Sequence, residues 1–247
     1  MPLKTESISY RDGDVALTGH LVWDDSSKEK RPGILVVHGG AGLDAHAKSR
    51  AEKLAATGFV AFACDMFGEG VAGERTRVIA KIMELRGDRA KLCRRVQAGL
   101  DELRAHPSVD GRIAAVGYCF GGMTVLELAR SGAELHGVVS VHGSLDTTQA
   151  AQSNAVKAKI LVCHGALDPH VPLAHVTAFM EEMNRAGADW QLIAYGGAVH
   201  GFTHDGPPST TPGVAYHAPT DARSTQAIRD FFGELFGTVE ISGSSPR

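Results

Sequence analysis

The chain has 247 residues, of which 43% are hydrophobic and 21% are charged, the balance of an ordinary globular protein. Its formal net charge is −3 and no block of lysine and arginine is present, so we expect no nucleic-acid-binding surface. No stretch approaches the ~18 consecutive apolar residues of a membrane-spanning helix, and the first residues lack the apolar run of a signal peptide.

The first predicted elements form an antiparallel hairpin. Two segments with strand character, at 7–10 and 15–23, flank an Asp-Gly-Asp sequence at 12–14 that is typical of a tight turn. A polar loop is predicted over 24–32. A continuous apolar run at 33–37 follows, as expected for a strand that is buried on both faces of a sheet.

From this point, short apolar segments alternate with segments of helical periodicity. This alternation predicts an α/β fold, with a mostly parallel central sheet, helices on both faces and the N-terminal antiparallel hairpin. No linker or repeat is visible, so we expect a single domain over 1–247 with a flexible tail at about 237–247. Further strands are predicted at 59–64, 112–116, 137–141, 159–163 and 190–195, and helices at 47–57, 75–105 with a break at 87–88, 123–130, 173–185 and 222–235.

The most informative motif is G-Y-C-F-G-G at 117–122, between a predicted strand and a predicted helix. So sharp a turn holds its central residue, Cys119, in a strained conformation and lifts the side chain clear of the sheet. The flanking glycines leave room for the backbone to turn. Serine is usual at this position, so the motif predicts a cysteine nucleophile that reacts as the thiolate.

Two further reactive residues follow strands at the same predicted edge of the sheet. Asp168 comes after the strand at 159–163, and His200 comes after the strand at 190–195. The chain order nucleophile, acid, histidine is that of α/β-hydrolases. A histidine stabilises a neighbouring thiolate, and a carboxylate orients the histidine. The sequence therefore predicts Cys119, Asp168 and His200 as catalytic residues.

Attack on a carbonyl also requires two N–H donors for the developing oxyanion. Phe120, directly after the cysteine, is predicted to supply one through its backbone. Gly40, in the glycine-rich loop after the first parallel strand, is predicted to supply the other. His38, His142 and His164 end strands near the same edge, where we expect pocket walls or structural hydrogen-bonding groups.

Several of these residues also have a plainer interpretation. Asp168 precedes a proline and fits a turn, and His200 is one of 12 histidines. The pair His200 and His204 has the spacing of metal ligands on a helix, but Gly201 argues against a helix there. We therefore predict no metal site at these two histidines. The other cysteines, which show no C-x-x-C spacing and fit a reducing cytoplasm, are interpreted as buried apolar residues: Cys64, Cys93 and Cys163.

At these motifs the chain resembles the dienelactone hydrolase (carboxymethylenebutenolidase-like) family of α/β-hydrolases. The matching sequences are G-Y-C-F-G-G at 117–122, H-G-A-L-D-P at 164–169 and H-G-F at 200–202, and the resemblance runs from residue 33 to the last helix. It implies that the three predicted catalytic residues form a Cys-His-Asp triad. It also implies hydrolysis of an ester or lactone through a thioacyl-enzyme intermediate, without a cofactor.

Two positions depart from the members of that family that open dienelactone. Those enzymes have a glutamate that gates the cysteine between resting and reactive states, where this chain has Gly39. They also have an arginine that binds the substrate carboxylate, where this chain has His204. The resemblance therefore carries over the triad but not dienelactone as the substrate. The residues predicted to line the substrate pocket are His38, Gly39, His142, Phe202 and His204.

The leading hypothesis is a cytoplasmic hydrolase of a small-molecule ester or lactone. An acyltransferase or thioesterase with the same triad, and a non-catalytic ligand-binding protein on a hydrolase fold, are the alternatives. The loop at 201–219, rich in proline, threonine and glycine, is expected to cover part of the pocket. The sequence does not distinguish a monomer from a homodimer.

Overall fold

The computed structural model describes residues 3–26 and 28–237, and in this part of the chain eight strands form one sheet and six helices cover it. Except for residue 237, the tail predicted at about 237–247 lies outside the described residues. The strands are β1 Leu3–Asp12, β2 Val15–Asp24, β3 Arg31–Val37, β4 Val60–Cys64, β5 Val109–Tyr118, β6 Gly137–Val141, β7 Lys159–Gly165 and β8 Trp190–Tyr195. The helices are α1 Ala45–Ala55, α2 Arg75–Gly87, α3 Arg89–Ala105, α4 Phe120–Arg130, α5 Leu173–Ala186 and α6 Ala218–Phe236.

The strand order across the sheet is β1-β2-β4-β3-β5-β6-β7-β8. Strands β3 to β8 are parallel to one another, whereas β1 and β2 form an antiparallel hairpin that joins the sheet through β4. The predicted fold class is confirmed. Because the central strands are parallel, the loops after β3, β5, β6, β7 and β8 all meet at one edge of the sheet.

Each face of the sheet carries its own hydrophobic core. Helices α1 and α6 cover one face, where Leu54 and Phe232 pack on the strands. Helices α2 to α5 cover the other face, with Leu126 and Phe179 among the buried side chains. Central strands buried on both sides read as continuous apolar runs, which explains why they were recognisable in the sequence.

The loop predicted over 24–32 is wrong at its end, because β3 already begins at Arg31. The backbone N–H of Arg31 donates to the carbonyl of Ser108 at 2.8 Å, which adds the residue to the sheet. Its guanidinium is buried and lies 3.4 Å from the carboxylate of Asp24. In a sequence, a charged residue followed by proline suggests a loop. Here the backbone bond to Ser108 and the buried ion pair with Asp24 allow Arg31 to form part of β3.

Candidate active site

Cys119 lies at the turn between β5 and α4 with φ 54° and ψ −113°, a conformation that is costly for a residue with a side chain. Its backbone N–H donates to the carbonyl of Val141 at 3.0 Å, which holds the turn against β6. A Cβ atom on Gly117 would overlap the carbonyl oxygen of Gly121, and one on Gly121 would overlap that of Val37. The glycines of the motif are thus required by close backbone packing.

Asp168, His200 and Cys119 lie in one hydrogen-bonded series. His200 Nε2 is 3.1 Å from Cys119 Sγ, and His200 Nδ1 is 2.8 Å from Asp168 Oδ2. The other oxygen of Asp168 accepts the backbone N–H of His170 at 2.8 Å, which fixes the orientation of the carboxylate. The structure therefore brings together the three residues that the sequence placed after three different strands.

Electrostatics favour charge separation along this series. Burial raises the pKa of the Cys119 thiol, but the hydrogen bond and charge of His200 and nearby backbone N–H groups outweigh it, so the pKa lies below its ordinary value. Burial lowers the pKa of His200, but Asp168 and Cys119 raise it to about 10. Burial raises the pKa of Asp168, but His200 brings it below its ordinary value. Together, these directions favour a thiolate beside an imidazolium.

The two predicted oxyanion donors both face the sulfur. Burial raises the pKa of the Cys119 thiol, and His200 lowers it. The backbone N–H groups of Phe120 and Gly40 form hydrogen bonds with Cys119 and lower this pKa further, by less than His200 does. His38 is fully buried and holds the loop that carries Gly40. Its Nδ1 donates to the carbonyl of Gly39 at 2.7 Å, and its Nε2 accepts the N–H of Met66 at 3.0 Å.

Gly39 and His204, the two positions that depart from the dienelactone-opening enzymes, lie together at the nucleophile. A Cβ atom on Gly39 would be 3.5 Å from Cys119 Cβ and 3.8 Å from His204 Nε2. The ring of His204 stacks on that of His46, with 3.9 Å between centroids and 13° between planes. The ring of His204, backed by that of His46, therefore lies beside the nucleophile.

A chain of buried polar groups supports the back of the site. Cys119 N–H also donates to His142 Nδ1 at 3.1 Å, so His142 carries its proton on Nε2 and donates it to Thr203 Oγ1 at 2.9 Å. The Thr203 hydroxyl can then donate to His46 Nε2 at 3.2 Å, which also accepts Arg50 Nε–H at 3.3 Å. These contacts fix the tautomer of His142, whereas His46 Nε2 also lies 3.1 Å from the carbonyl of Thr203, which can only accept a hydrogen bond.

Arg50 completes this chain. Its Nη2 donates to the carbonyl of Thr203 at 2.7 Å and lies 2.8 Å from the carboxylate of Asp221. Burial, together with the charges of His204 and Arg50, lowers the pKa of His46 to about 3. Burial also lowers the pKa of His204, and Arg50 and His200 lower it further, while Asp44 and Asp205 oppose them. The stacked imidazoles are therefore neutral.

Sequence reasoning missed His46, Arg50 and Thr203. Their contacts join the start of α1 to the loop after β8 across more than 150 residues, as in the pair His46–Thr203. No local motif marks such a contact. The nearest signal is the position of His46, which follows the glycine-rich loop and begins a helix beside the predicted site.

The remaining residues predicted for the pocket lie behind its surface. His142 and Phe202 are buried, and their rings meet edge to face with 4.9 Å between centroids. His164, near the end of β7, is also buried. Cys64 and Cys163 are buried, whereas Cys93 is partly exposed, and all four cysteines are free thiols.

Two cavities adjoin His204. The first, of about 520 Å³, is lined by charged side chains that include Asp44, Lys53 and Asp205. The second, of about 470 Å³, opens between His204 and the loop at 206–216, and none of the described residues that line it carries a formal charge when His204 is neutral. Both cavities border the ring that faces the sulfur.

Within residues 3–26 and 28–237, no group of three or more His, Cys, Asp or Glu side chains is arranged to hold a metal ion. Among the helices described, none has the length and hydropathy needed to cross a membrane.

A parallel sheet with a Cys-His-Asp series at the carboxyl ends of its strands defines an α/β-hydrolase. The profile of the dienelactone hydrolase family matches residues 18–236, and the chain belongs to this family. The predicted resemblance and the assignment as an ester or lactone hydrolase are thereby confirmed.

Known proteins resemble the chain over most of its length. A dienelactone hydrolase-like promiscuous phosphotriesterase from metagenomic libraries shares 42% identity, with a TM-score of 0.91 over 96% of this chain and 100% of that one. The protein m3DLH shares 40% identity, with a TM-score of 0.90 over 95% of this chain and 99% of that one. A Yersinia pestis protein, provisionally named a carboxymethylenebutenolidase, is 26% identical over 87% of this chain and 83% of its own length.

Proposed function

We propose that the chain hydrolyses a small carboxylic ester or lactone, with Cys119 as nucleophile, His200 as general acid and base, and Asp168 as the group that orients His200. The observation that carries this proposal is the hydrogen-bonded series from Asp168 Oδ2 through His200 to Cys119 Sγ, with distances of 2.8 and 3.1 Å. The backbone donors of Phe120 and Gly40 beside the same sulfur support it.

In the first step, the thiolate of Cys119 attacks the carbonyl carbon, and the carbonyl oxygen becomes an oxyanion. The N–H groups of Phe120 and Gly40 stabilise that charge as it develops. The tetrahedral intermediate collapses when the C–O bond breaks and His200 gives its Nε2 proton to the departing alkoxide. A thioester on Cys119 and neutral His200 remain.

In the second step, neutral His200 accepts a proton from water while the water oxygen adds to the thioester carbonyl. The C–S bond then breaks, the thiolate of Cys119 leaves, and the carboxylic acid is released beside the restored imidazolium. For a lactone the alcohol remains part of the same molecule, so the product is a single hydroxy acid.

Turnover of p-nitrophenyl acetate tests this assignment. We expect Cys119→Ala and His200→Ala each to lower kcat/KM by at least about 10³-fold, because residues that act as one unit are each required. Cys93→Ala, which removes a partly exposed thiol in the second turn of α3, is the matched control and should keep wild-type activity. Full activity of Cys119→Ala would refute the proposed nucleophile, and failure of the wild type to turn over esters would favour a binding protein.

A phosphotriester is a second candidate substrate, favoured by 42% identity to a promiscuous phosphotriesterase over nearly the whole of both chains. The thiolate and the two N–H donors can address a phosphoryl group as they address a carbonyl group. Hydrolysis of paraoxon by the wild type, and its loss in Cys119→Ala, would support this activity. A paraoxon rate equal to the buffer rate would exclude it.

A further inference from the structure

We propose that the cavity of about 470 Å³ beside His204 binds the apolar part of the substrate, and that it selects uncharged esters over esters that carry a carboxylate. This inference rests on the proposed function and specifies its substrate class.

The loop that forms one wall of the cavity is hydrogen-bonded to the catalytic histidine. The backbone N–H of His200 donates to the carbonyl of Gly213 at 3.0 Å, and the N–H of Ala215 donates to the carbonyl of His200 at 3.0 Å. These bonds attach the loop that forms one wall to the residue beside Cys119. On the other side, His204 Nε2 faces the space near Gly39 and the nucleophile. A substrate bound to the sulfur can therefore extend into this cavity.

The lining is mostly apolar and carries no lysine, arginine or carboxylate among the described residues. It includes Pro207, Pro208, Val214 and Tyr216, and its volume lies within the roughly 300–1,000 Å³ of small-molecule sites. Tyr216 exposes 44% of its surface, so its ring is accessible to a group bound in the cavity. The surface is suited to an alkyl or aryl group.

Among the described residues, none that lines this cavity is a lysine or an arginine. Arg50 is already bonded to the carbonyl of Thr203, to Asp221 and to His46. The side chain of Lys53 lines the neighbouring cavity together with Asp44 and Asp205, whose charges oppose it.

His46 and His204 present flat, neutral rings. A carboxylate that entered the apolar cavity would lose its hydration without gaining an ionic partner. The charge state of the lining is therefore expected to set the substrate preference.

Two esters with acyl chains of equal length measure this preference. The acyl chain of p-nitrophenyl valerate ends in a methyl group, and that of p-nitrophenyl hydrogen glutarate ends in a carboxylate. For the wild type, we expect kcat/KM to be at least about tenfold higher for the valerate. His204→Arg replaces the neutral ring of His204 with a cation in the cavity lining, so it should lower that ratio by at least about fivefold.

Tyr216→Lys provides a second variant at an exposed position of the lining and should shift the ratio in the same direction. Ala105→Arg adds the same charge at the exposed last residue of α3, at the amino end of β5, and should leave the ratio unchanged. Thermal unfolding of each variant establishes that it is folded.

Equal kcat/KM for the two esters in the wild type would overturn the inference while leaving the proposed function intact. So would an unchanged ratio in both cavity variants. Absence of turnover for both esters would instead overturn the proposed function, and the substrate preference would fall with it.

Discussion

Two histidines with rings only 5.3 Å apart take opposite protonation states, because each has a different neighbour. His200 faces the carboxylate of Asp168, which raises its pKa. Burial lowers the pKa of His142 well below its ordinary value, and its Nδ1 accepts the N–H of Cys119. The contacts of each residue therefore decide its role: His200 is placed to transfer a proton, whereas His142 accepts a hydrogen bond from the backbone of Cys119.

The protonation of Cys119 gives a direct pH test. In the wild type, we expect iodoacetamide to alkylate Cys119 at pH values below the ordinary thiol pKa of 9.0, because the thiolate is already formed there. His200→Ala removes the imidazole that offsets burial, so the midpoint of the alkylation rate should rise. Mass spectrometry distinguishes Cys119 from Cys93, whose pKa burial raises. The same midpoint in both proteins would contradict the pairing of sulfur and imidazole.

Single residues were predictable where a motif or chain order marked them. Cys119 stands out through its glycines, and Asp168 and His200 through their positions after strands. The stacked pair of His46 and His204 was not predictable, because a ring contact between a helix and a distant loop leaves no pattern in the sequence.

At the level of elements, the sequence located every strand and helix but not every boundary. β7 continues to Gly165 because its last residues pair with Ala194 and Tyr195 of β8. α6 begins at Ala218, four residues before its predicted start, with a proline in its first turn, where the missing N–H needs no partner. Boundaries depend on neighbouring elements, whereas the apolar pattern is local.

The turn between β5 and α4 tolerates no side chain at Gly117. Gly117→Ala should lower the free energy of unfolding by at least about 3 kcal/mol, because the new Cβ would overlap the carbonyl of Gly121. Gly87→Ala, at the end of α2 where a Cβ meets nothing within 4 Å, is the matched control and should stabilise by about 0.5–1 kcal/mol. Urea denaturation measures both, and similar curves for the two variants would contradict the packing argument.

At the scale of the whole molecule, helices are held together by buried ion pairs as well as by hydrophobic packing. Arg130 of α4 lies 2.8 Å from Glu127 and 2.8 Å from Glu182 of α5, and all three side chains are buried. Composition and periodicity do not predict such a triad, since charged residues on a helix usually face water.

Arg130→Met should therefore be strongly destabilising. It leaves the carboxylate of Glu182 buried without its ionic partner, and we expect a loss of about 3–5 kcal/mol in the free energy of unfolding. Arg104→Met removes an exposed pair with Asp101 and should cost about 0–1 kcal/mol. A loss for Arg130→Met no larger than that of the surface control, measured by urea denaturation, would mean that the buried triad is not required.

The order of the strands in the sheet also could not be predicted from the sequence. Alternating strands and helices predicted a parallel sheet, but the position of β4 between β2 and β3 depends on pairings that only the assembled molecule shows.

Gly39 offers no side chain to hold Cys119 away from His200, and Cys119 Sγ lies 3.1 Å from His200 Nε2. A sulfur that stays ionised between turnovers is open to peroxide, which converts it first to a sulfenic acid and then irreversibly to higher oxidation states. Readiness for catalysis and vulnerability to damage thus have the same origin. The working lifetime of each molecule is expected to depend on the supply of reductant around it as much as on the stability of its fold.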